Sequence, residues 1–198
     1  MESLNWGNEP DLDQLRKLHA QLSKNPRDAL PGLEALGERG SVASALYLAD
    51  YYIKQPFADE SKARYWYSKA HDKGYPQASY MLGRIYSDSL EYDLAFSAFS
   101  KGAEKGYLPA IYRLAKMYQR GEAVPQNISE YRRLLEIAHS KGHIFAKRDL
   151  AALLLTGEFG IASAIRGAMM LLSLWSSIAL LIRKAIKPGS TFDDRVLA

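Results

Sequence analysis

Cysteine is absent from all 198 residues. Its absence excludes disulfide staples, thiolate zinc sites and cysteine nucleophiles, and it is consistent with a reducing compartment. The four histidines are not arranged to replace cysteine as metal ligands. His139 and His143 are four residues apart, but Gly142 is expected to break the helix between them. The sequence therefore predicts no metal site.

Motifs that mark nucleotide-binding or hydrolytic sites are also missing. There is no glycine-rich phosphate loop ending in Lys-Ser or Lys-Thr, and there is no Gly-x-Ser-x-Gly nucleophile elbow. Carboxylate pairs such as Glu34 and Glu38 are typical of a solvated helix face rather than of a general acid and base. We therefore expect no enzyme activity, no catalytic residue and no cofactor.

The chain has no long run of charge of one sign. Its formal net charge is +4 and its pI is about 9.1, so a nucleic-acid partner is not favoured. The first ten residues have neither a basic start nor an apolar run, which predicts that no secretory signal is present. We expect a cytoplasmic protein, with peripheral attachment or anchoring at the cytoplasmic membrane as the open alternative.

What the sequence does contain is an internal repeat. Residues 73–78, 105–110 and 141–146 align: each stretch begins with Lys-Gly and has an alanine four residues after the glycine. The three glycines are 32 and 36 residues apart, and Gly40 begins a weaker copy with Ser44 in the alanine position. A leucine and then a small residue follow four and five positions after each of these small residues. Such recurrence is typical of repeat proteins.

Each copy predicts a helix hairpin. Apolar residues at offsets 0, 4, 5 and 8 from the alanine share one face of a helix with 3.6 residues per turn. Small residues at offsets 0 and 5 allow a neighbouring helix to approach closely. The glycine is expected to end the preceding helix in the left-handed conformation. Asp59, Asp93 and either Asn127 or Ser129 are predicted to cap the second helices.

The predicted fold class is all-α, a right-handed α-α superhelix, or solenoid, of helix hairpins with about ten helices. We expect N-terminal capping helices in 1–40, repeats in 41–160, an apolar C-terminal helix in 161–187 and a flexible tail in 188–198. The individual helices are predicted at 11–24, 28–39, 41–54, 59–73, 75–87, 91–105, 107–120, 128–141, 143–156 and 161–187.

These residues resemble the Sel-one-like repeat family, a relative of the tetratricopeptide repeat. The resemblance is carried by Ala-x-Tyr-x-Leu-Gly-x-Ile-Tyr at 78–86, Ala-x-Tyr-x-Leu-Ala-x-Met-Tyr at 110–118, Gly-Glu-Ala-Val-Pro-Gln-Asn at 121–127 and the helix-like segment 63–74. The second copy lacks the Gly-x-x-Val-Pro loop, and the fourth copy has Leu154 where a tyrosine is usual. The resemblance implies an α-solenoid adaptor that holds partner proteins, often in signalling or envelope-related assemblies, and no reaction.

The first helices carry residues that the core does not need, at offsets 3 and 6. In stacked hairpins the first helices line the concave surface, so these residues are expected to form a row along it. The middle of the row is basic, which would suit an acidic peptide or helix; an ordinary charged surface is the alternative. The predicted partner-binding residues are Tyr47, Asp50, Met81, Arg84, Arg113 and Lys116.

The second informative feature is the run from Gly167 to Ile182, which contains no charged residue. Three interpretations stay open: a last helix packed on the repeats, an interfacial helix on an anionic membrane, and a short membrane span. The predicted membrane or partner contacts are Arg166, Met170, Leu174, Trp175, Arg183, Lys184 and Lys187.

The function that we expect is a non-enzymatic scaffold for protein–protein interaction, acting as an accessory factor of an envelope-associated or signalling complex. One alternative is a solenoid that binds single-stranded nucleic acid by stacking bases on tyrosines. Most tyrosines, however, lie at core offsets, which favours packing: Tyr52, Tyr80, Tyr86, Tyr112 and Tyr118. A further alternative, implied by the family, is a non-catalytic subunit of an envelope polysaccharide biosynthesis enzyme.

Overall fold

A computed structural model describes residues 9–54 and 59–185, except for the side chains at 177, 178 and 181–185. The residues that it describes form α-helices joined by short turns, without a strand. The helices are α1 (Leu12–Leu22), α2 (Pro26–Glu38), α3 (Val42–Lys54), α4 (Glu60–Asp72), α5 (Pro76–Asp88), α6 (Tyr92–Glu104), α7 (Leu108–Arg120), α8 (Ile128–Ser140), α9 (Ile144–Leu155) and α10 (Ile161–Ala185).

The chain divides into two compact units, residues 1–134 and 135–198, with the boundary inside α8. In the first unit each helix from α1 to α7 packs mainly against the helices next to it in sequence. Buried leucine, alanine and aromatic side chains of α1 to α5 form one hydrophobic cluster, among them Leu33, Leu48, Trp66 and Tyr67, and Phe99 is buried on α6. Helix hairpins stacked in this way share one core along the array.

The small residues of the repeat are buried where the helices meet. Ala78 and Ala110 at offset 0, and Ala115 at offset 5, are 0% exposed. Gly83 occupies offset 5 in the second copy, and a Cβ atom placed on it would lie 2.7 Å from the ring of Phe99. A larger side chain at these offsets would therefore force the helices apart, as the sequence predicted.

The repeat glycines end helices as predicted. Gly40, Gly74, Gly106 and Gly142 have φ angles between +76° and +96°, in the left-handed region that residues without a Cβ atom adopt at little cost. The described residues contain ten helices, as expected. Helix α2 begins two residues earlier than predicted because Pro26 occupies its first turn, where a missing N–H leaves no helical hydrogen bond unmade.

Two of the predicted N-caps are confirmed and one is wrong. The side chain of Asp59 accepts a hydrogen bond from the Lys62 amide, and that of Asn127 accepts one from the Glu130 amide, both at 3.0 Å. Asp93 instead lies inside the first turn of α6, because that helix already begins at Tyr92 and its N-cap residue is Glu91. Ser129 likewise lies within α8.

In the second unit, α10 packs on α9 at a glycine. A Cβ atom on Gly167 would lie 2.7 Å from the carbonyl oxygen of Ala151 and 3.1 Å from Leu154. Met170, one turn further along, is 8% exposed. The predicted helix 161–187 is seen as far as Ala185, and the predicted tail 188–198 lies outside the described residues.

Candidate interaction surface

The six residues predicted to bind a partner all lie on first helices of the first unit. Arg84 on α5 and Arg113 on α7 are exposed. The other four are half-buried: Tyr47, Asp50, Met81 and Lys116. The two arginines are therefore the members of the row that water reaches most easily.

A buried tyrosine on α4 bonds to the first helix α3 and is affected by a charge on the next first helix, α5. The hydroxyl of Tyr67 on α4 donates a hydrogen bond to the Asp50 carboxylate on α3, at 2.5 Å. Burial raises the pKa of Tyr67, and the bond to Asp50 raises it further, whereas the positive charge of Arg84 on α5 acts to lower it. The phenol of Tyr67 is thus bonded to Asp50 and lies near enough to Arg84 for that charge to act on it.

Asp50 already has partners within the protein. Besides Tyr67, it bonds to Lys54 one turn along α3, at 3.2 Å. Its carboxylate is therefore a structural acceptor as much as a surface charge, and it offsets the Lys54 ammonium at this end of the row. The exposed positive charge of the row lies further along, at Arg84 and Arg113.

The basic part of the row lies above aromatic rings. The guanidinium carbon of Arg84 is 6.0 Å from the ring centroid of Tyr80, and the ammonium of Lys116 is 5.6 Å from that of Tyr131. Lys116 also donates a hydrogen bond to the Gln119 side chain. Cations held over ring faces keep their charge accessible while their stems pack on the array.

At its N-terminal end the row opens into a cleft that sequence reasoning did not find. The cleft has a volume of about 760 Å³ and is lined by residues of α1, the start of α2, and α3, including Leu22, Pro26 and Tyr51. His19 on α1 stacks on Tyr47 with ring centroids 3.8 Å apart. Burial raises the pKa of Tyr47. The contact could not be read from the repeat because α1 does not carry the repeat pattern.

The tyrosines at core offsets pack within the array. Tyr52 is 8% exposed and donates a hydrogen bond to Glu34 at 2.9 Å, and burial together with that bond raises its pKa to about 12. Tyr80 packs against Phe99 and Tyr107, with centroids 6.1 and 5.7 Å away. The remaining three are half-buried: Tyr86, Tyr112 and Tyr118. Tyr52 and Tyr80 therefore pack as their core offsets predicted, whereas Tyr86, Tyr112 and Tyr118 keep part of their surface exposed.

Ionic links between neighbouring copies were also missed. Arg64 on α4 bonds to Glu91 at the start of α6 at 2.9 Å, and Lys69 on α4 bonds to Glu38 on α2 at 2.6 Å. Each link joins residues about one repeat apart in sequence. Both ion pairs are partly exposed to solvent, so each contributes little stability. The four side chains of these ion pairs therefore already have partners within the protein.

Two of the histidines have structural roles. The Nε2 atom of His71 lies 3.2 Å from the Lys101 ammonium, and its Nδ1 atom lies 2.8 Å from the Ser79 hydroxyl. His143 caps α9, since its Nδ1 atom accepts a hydrogen bond from the Ala146 amide at 3.1 Å. Burial lowers the pKa of both rings. Within the described residues, no group of three or more histidine, aspartate or glutamate side chains could hold a metal ion.

The residues predicted for membrane or partner contact are divided between the two sides of α10. Met170 is buried and Leu174 half-buried, whereas Trp175 is 71% exposed. Arg166 is exposed and lies 3.7 Å from Glu136. The side chains of Arg183 and Lys184, and the whole of Lys187, lie outside the described part of the chain. No described helix combines the length and apolarity needed to cross a bilayer.

The solved structures that resemble the chain include the following two. One is a protective antigen of uropathogenic Escherichia coli strains displaying an SLR fold, with a TM-score of 0.71 and 22% identity; the match covers 79% of this chain and 36% of the antigen. The other is a Sel1 repeat protein from Oxalobacter formigenes, with a TM-score of 0.54 and 26% identity, covering 63% of this chain and 97% of that protein. The chain thus spans about a third of the E. coli antigen. No family model and no curated protein matches the sequence.

Proposed function

We propose that this chain, an all-α solenoid with the Sel1-like repeat fold, is a non-enzymatic scaffold that binds other proteins through the first-helix row of α3, α5 and α7. The observation that carries the proposal is the exposure of Arg84 and Arg113 on successive first helices, while the nearby acidic residue, Asp50, is bonded to Tyr67 and Lys54. A row with unbalanced positive charge suits an acidic peptide or helix.

The rigidity of the array supports this function. Tyr67 and the small residues at offsets 0 and 5 hold the helices at fixed positions, so the receptor surface exists before the partner arrives. A partner segment then binds without the cost of ordering the receptor. At a finer level, we propose that the protein is an accessory factor of an envelope-associated or signalling complex.

The test is site-specific photocrosslinking in the native host. A photoreactive phenylalanine analogue at Met81, one turn from Arg84, should form adducts with the partner. Arg84→Glu combined with Arg113→Glu should reduce those adducts at least about tenfold, because charge reversal places like charges opposite one another. Arg16→Glu with Arg27→Glu is the matched control: both residues are exposed on the capping helices α1 and α2, and the charge change is identical.

The outcomes separate binding from folding. Circular dichroism and thermal melting should show that both double variants remain folded, since all four arginines are exposed. Adducts that survive reversal of the row, or that fall equally in the control, would contradict the proposal. A salt titration with labelled single-stranded DNA tests the nucleic-acid alternative, which requires an affinity that falls steeply with salt.

A further inference from the structure

Helix α10 exposes a continuous apolar row along one face. Ile161, Ile165, Met169 and Leu172 follow one another at intervals of four, four and three residues, which places them on the same side of a helix. All four are more than half exposed, and Trp175 extends the row at 71%. Exposed apolar rows of this length mark contact sites rather than ordinary surface.

The opposite face of α10 is already covered. Gly167 and Met170 lie on the side turned towards α9, where the glycine allows the two helix backbones to come close together. Both sides of the helix are therefore apolar, and α9 accounts for only one of them. An interfacial helix normally presents its second face to water. In α10 the second face is covered by α9. The exposed apolar row is therefore the face that can contact an external surface.

The charge of the segment indicates what covers the row. Between Glu158 and Asp193 the sequence contains no acidic residue, but it contains Arg166, Arg183, Lys184 and Lys187. Cations near an apolar helix face are complementary to the anionic headgroups of a bilayer. Tryptophan is the residue that favours the boundary between headgroups and acyl chains.

We propose that the exposed face of α10, formed by Ile161, Ile165, Met169, Leu172 and Trp175, lies in the interface of an anionic lipid membrane. The helix axis is parallel to the membrane plane, with α9 on the far side of α10 from the lipid. This inference does not depend on the protein-binding row, because the two surfaces belong to different units of the chain.

The experiment measures binding of the full chain to vesicles. Phosphatidylcholine vesicles with 30% phosphatidylglycerol are compared with pure phosphatidylcholine vesicles by co-sedimentation and by Trp175 fluorescence. The wild type should bind the anionic vesicles at least about tenfold more strongly than the neutral ones, and less strongly at high salt. Its fluorescence should shift to shorter wavelength, and Trp175→Phe should abolish that shift.

A pair of double variants tests the assignment of the face. Met169→Glu with Leu172→Glu should reduce binding to anionic vesicles at least about tenfold, since it places two carboxylates in the row. Leu90→Glu with Leu94→Glu makes the same change at exposed leucines of the first unit and should leave binding unchanged. Circular dichroism checks that both variants are folded.

Three results would overturn the proposal. The first is equal binding to neutral and anionic vesicles. The second is anionic binding that the α10 double variant retains. The third is the absence of vesicle binding together with a dimer in sedimentation velocity that this variant dissociates, which would assign the face to a second copy of the chain.

Discussion

At the turn between α5 and α6, Leu90 has φ of +62°, in the left-handed region that leucine rarely adopts. Its side chain is 69% exposed, so it contributes little packing. The left-handed conformation costs a residue with a Cβ atom roughly 1–2 kcal/mol, whereas glycine adopts it freely. The corresponding turn after α7 uses Gly121 in that conformation.

Leu90→Gly should therefore increase the free energy of unfolding by about 0.5–1 kcal/mol, the relief of strain less the extra chain entropy of glycine. The urea midpoint measures the change. Leu90→Ala serves as the control, because it removes the same side chain but keeps the strain, and it should leave the midpoint close to the wild-type value. A lower midpoint for Leu90→Gly than for Leu90→Ala would show that the strain has been misjudged.

His71 makes the stability of the first unit depend on pH. The Lys101 ammonium can only donate a hydrogen bond, so Nε2 of His71 must accept it, and Nδ1–H is then the donor to Ser79. This arrangement requires a neutral ring. Burial, followed by the charge of Lys101, lowers the pKa of His71 in the folded state.

Because the pKa of His71 is lowered in the folded state, acid should destabilise the first unit. Above the ordinary histidine value, about 6.5, the ring is neutral in both states and its contribution is fully present. As the pH falls below that value, the unfolded chain takes up the proton first, so the folded state loses stability. His71→Gln should therefore show a smaller loss of stability between pH 7 and pH 5 than the wild type, measured by urea denaturation at each pH. Parallel curves for the two proteins would contradict this role.

At the scale of single helices, α5 and α6 pack closely at Gly83. Alanine instead of glycine inside a helix normally gains about 0.5–1 kcal/mol. At Gly83, however, the added carbon would lie 2.7 Å from the buried ring of Phe99. Gly83→Ala should therefore destabilise the first unit by about 1–3 kcal/mol, the usual cost of overpacking.

Gly32 in α2 is the matched control, because the atoms nearest to an added carbon there belong to the flexible side chain of Leu18, at 2.8 Å. Gly32→Ala should be neutral or stabilise by up to about 1 kcal/mol. Urea denaturation compares the two variants. Equal effects at the two glycines would mean that the Phe99 ring moves as easily as the Leu18 side chain.

The limits of the helices were predictable to within about two residues because they are set by nearby residues in the sequence, namely the repeat glycines and Pro26. Interactions across the array were not. Arg64 bonds to Glu91, and Lys69 to Glu38, over 27 and 31 residues. From the sequence alone, several carboxylates near these positions were equally good candidates as partners of Arg64 and Lys69. Likewise, the cap formed by His143 was missed because its capping atom is a ring nitrogen rather than one of the usual carboxylate, amide or hydroxyl oxygens.

For the whole molecule, the sequence predicted which helix positions form the partner-binding row. It did not predict which charged residues of the row already have partners within the protein. The offsets place Asp50 and Arg84 in register, yet only the structure shows that Asp50 is bonded to Tyr67 and Lys54. The apolar segment after residue 160 shows the same limit. Composition revealed an excess of apolar residues, but the division into a face packed on α9 and an exposed face depends on where Gly167 meets Ala151.

Because each helix packs mainly against its sequence neighbours, damage at one end of the first unit should remain local. Leu33 in α2 is 0% exposed, and Leu33→Ala should cost about 2–5 kcal/mol by leaving a cavity. We expect faster amide hydrogen exchange in α1, α2 and α3, with protection retained in α5, α6 and α7, measured by mass spectrometry of peptic fragments. Leu94→Ala, at an exposed position of α6, should change neither region. An equal loss of protection from α1 to α7 would show instead that the unit unfolds as one cooperative body, in which case its hairpins do not act as separable neighbours.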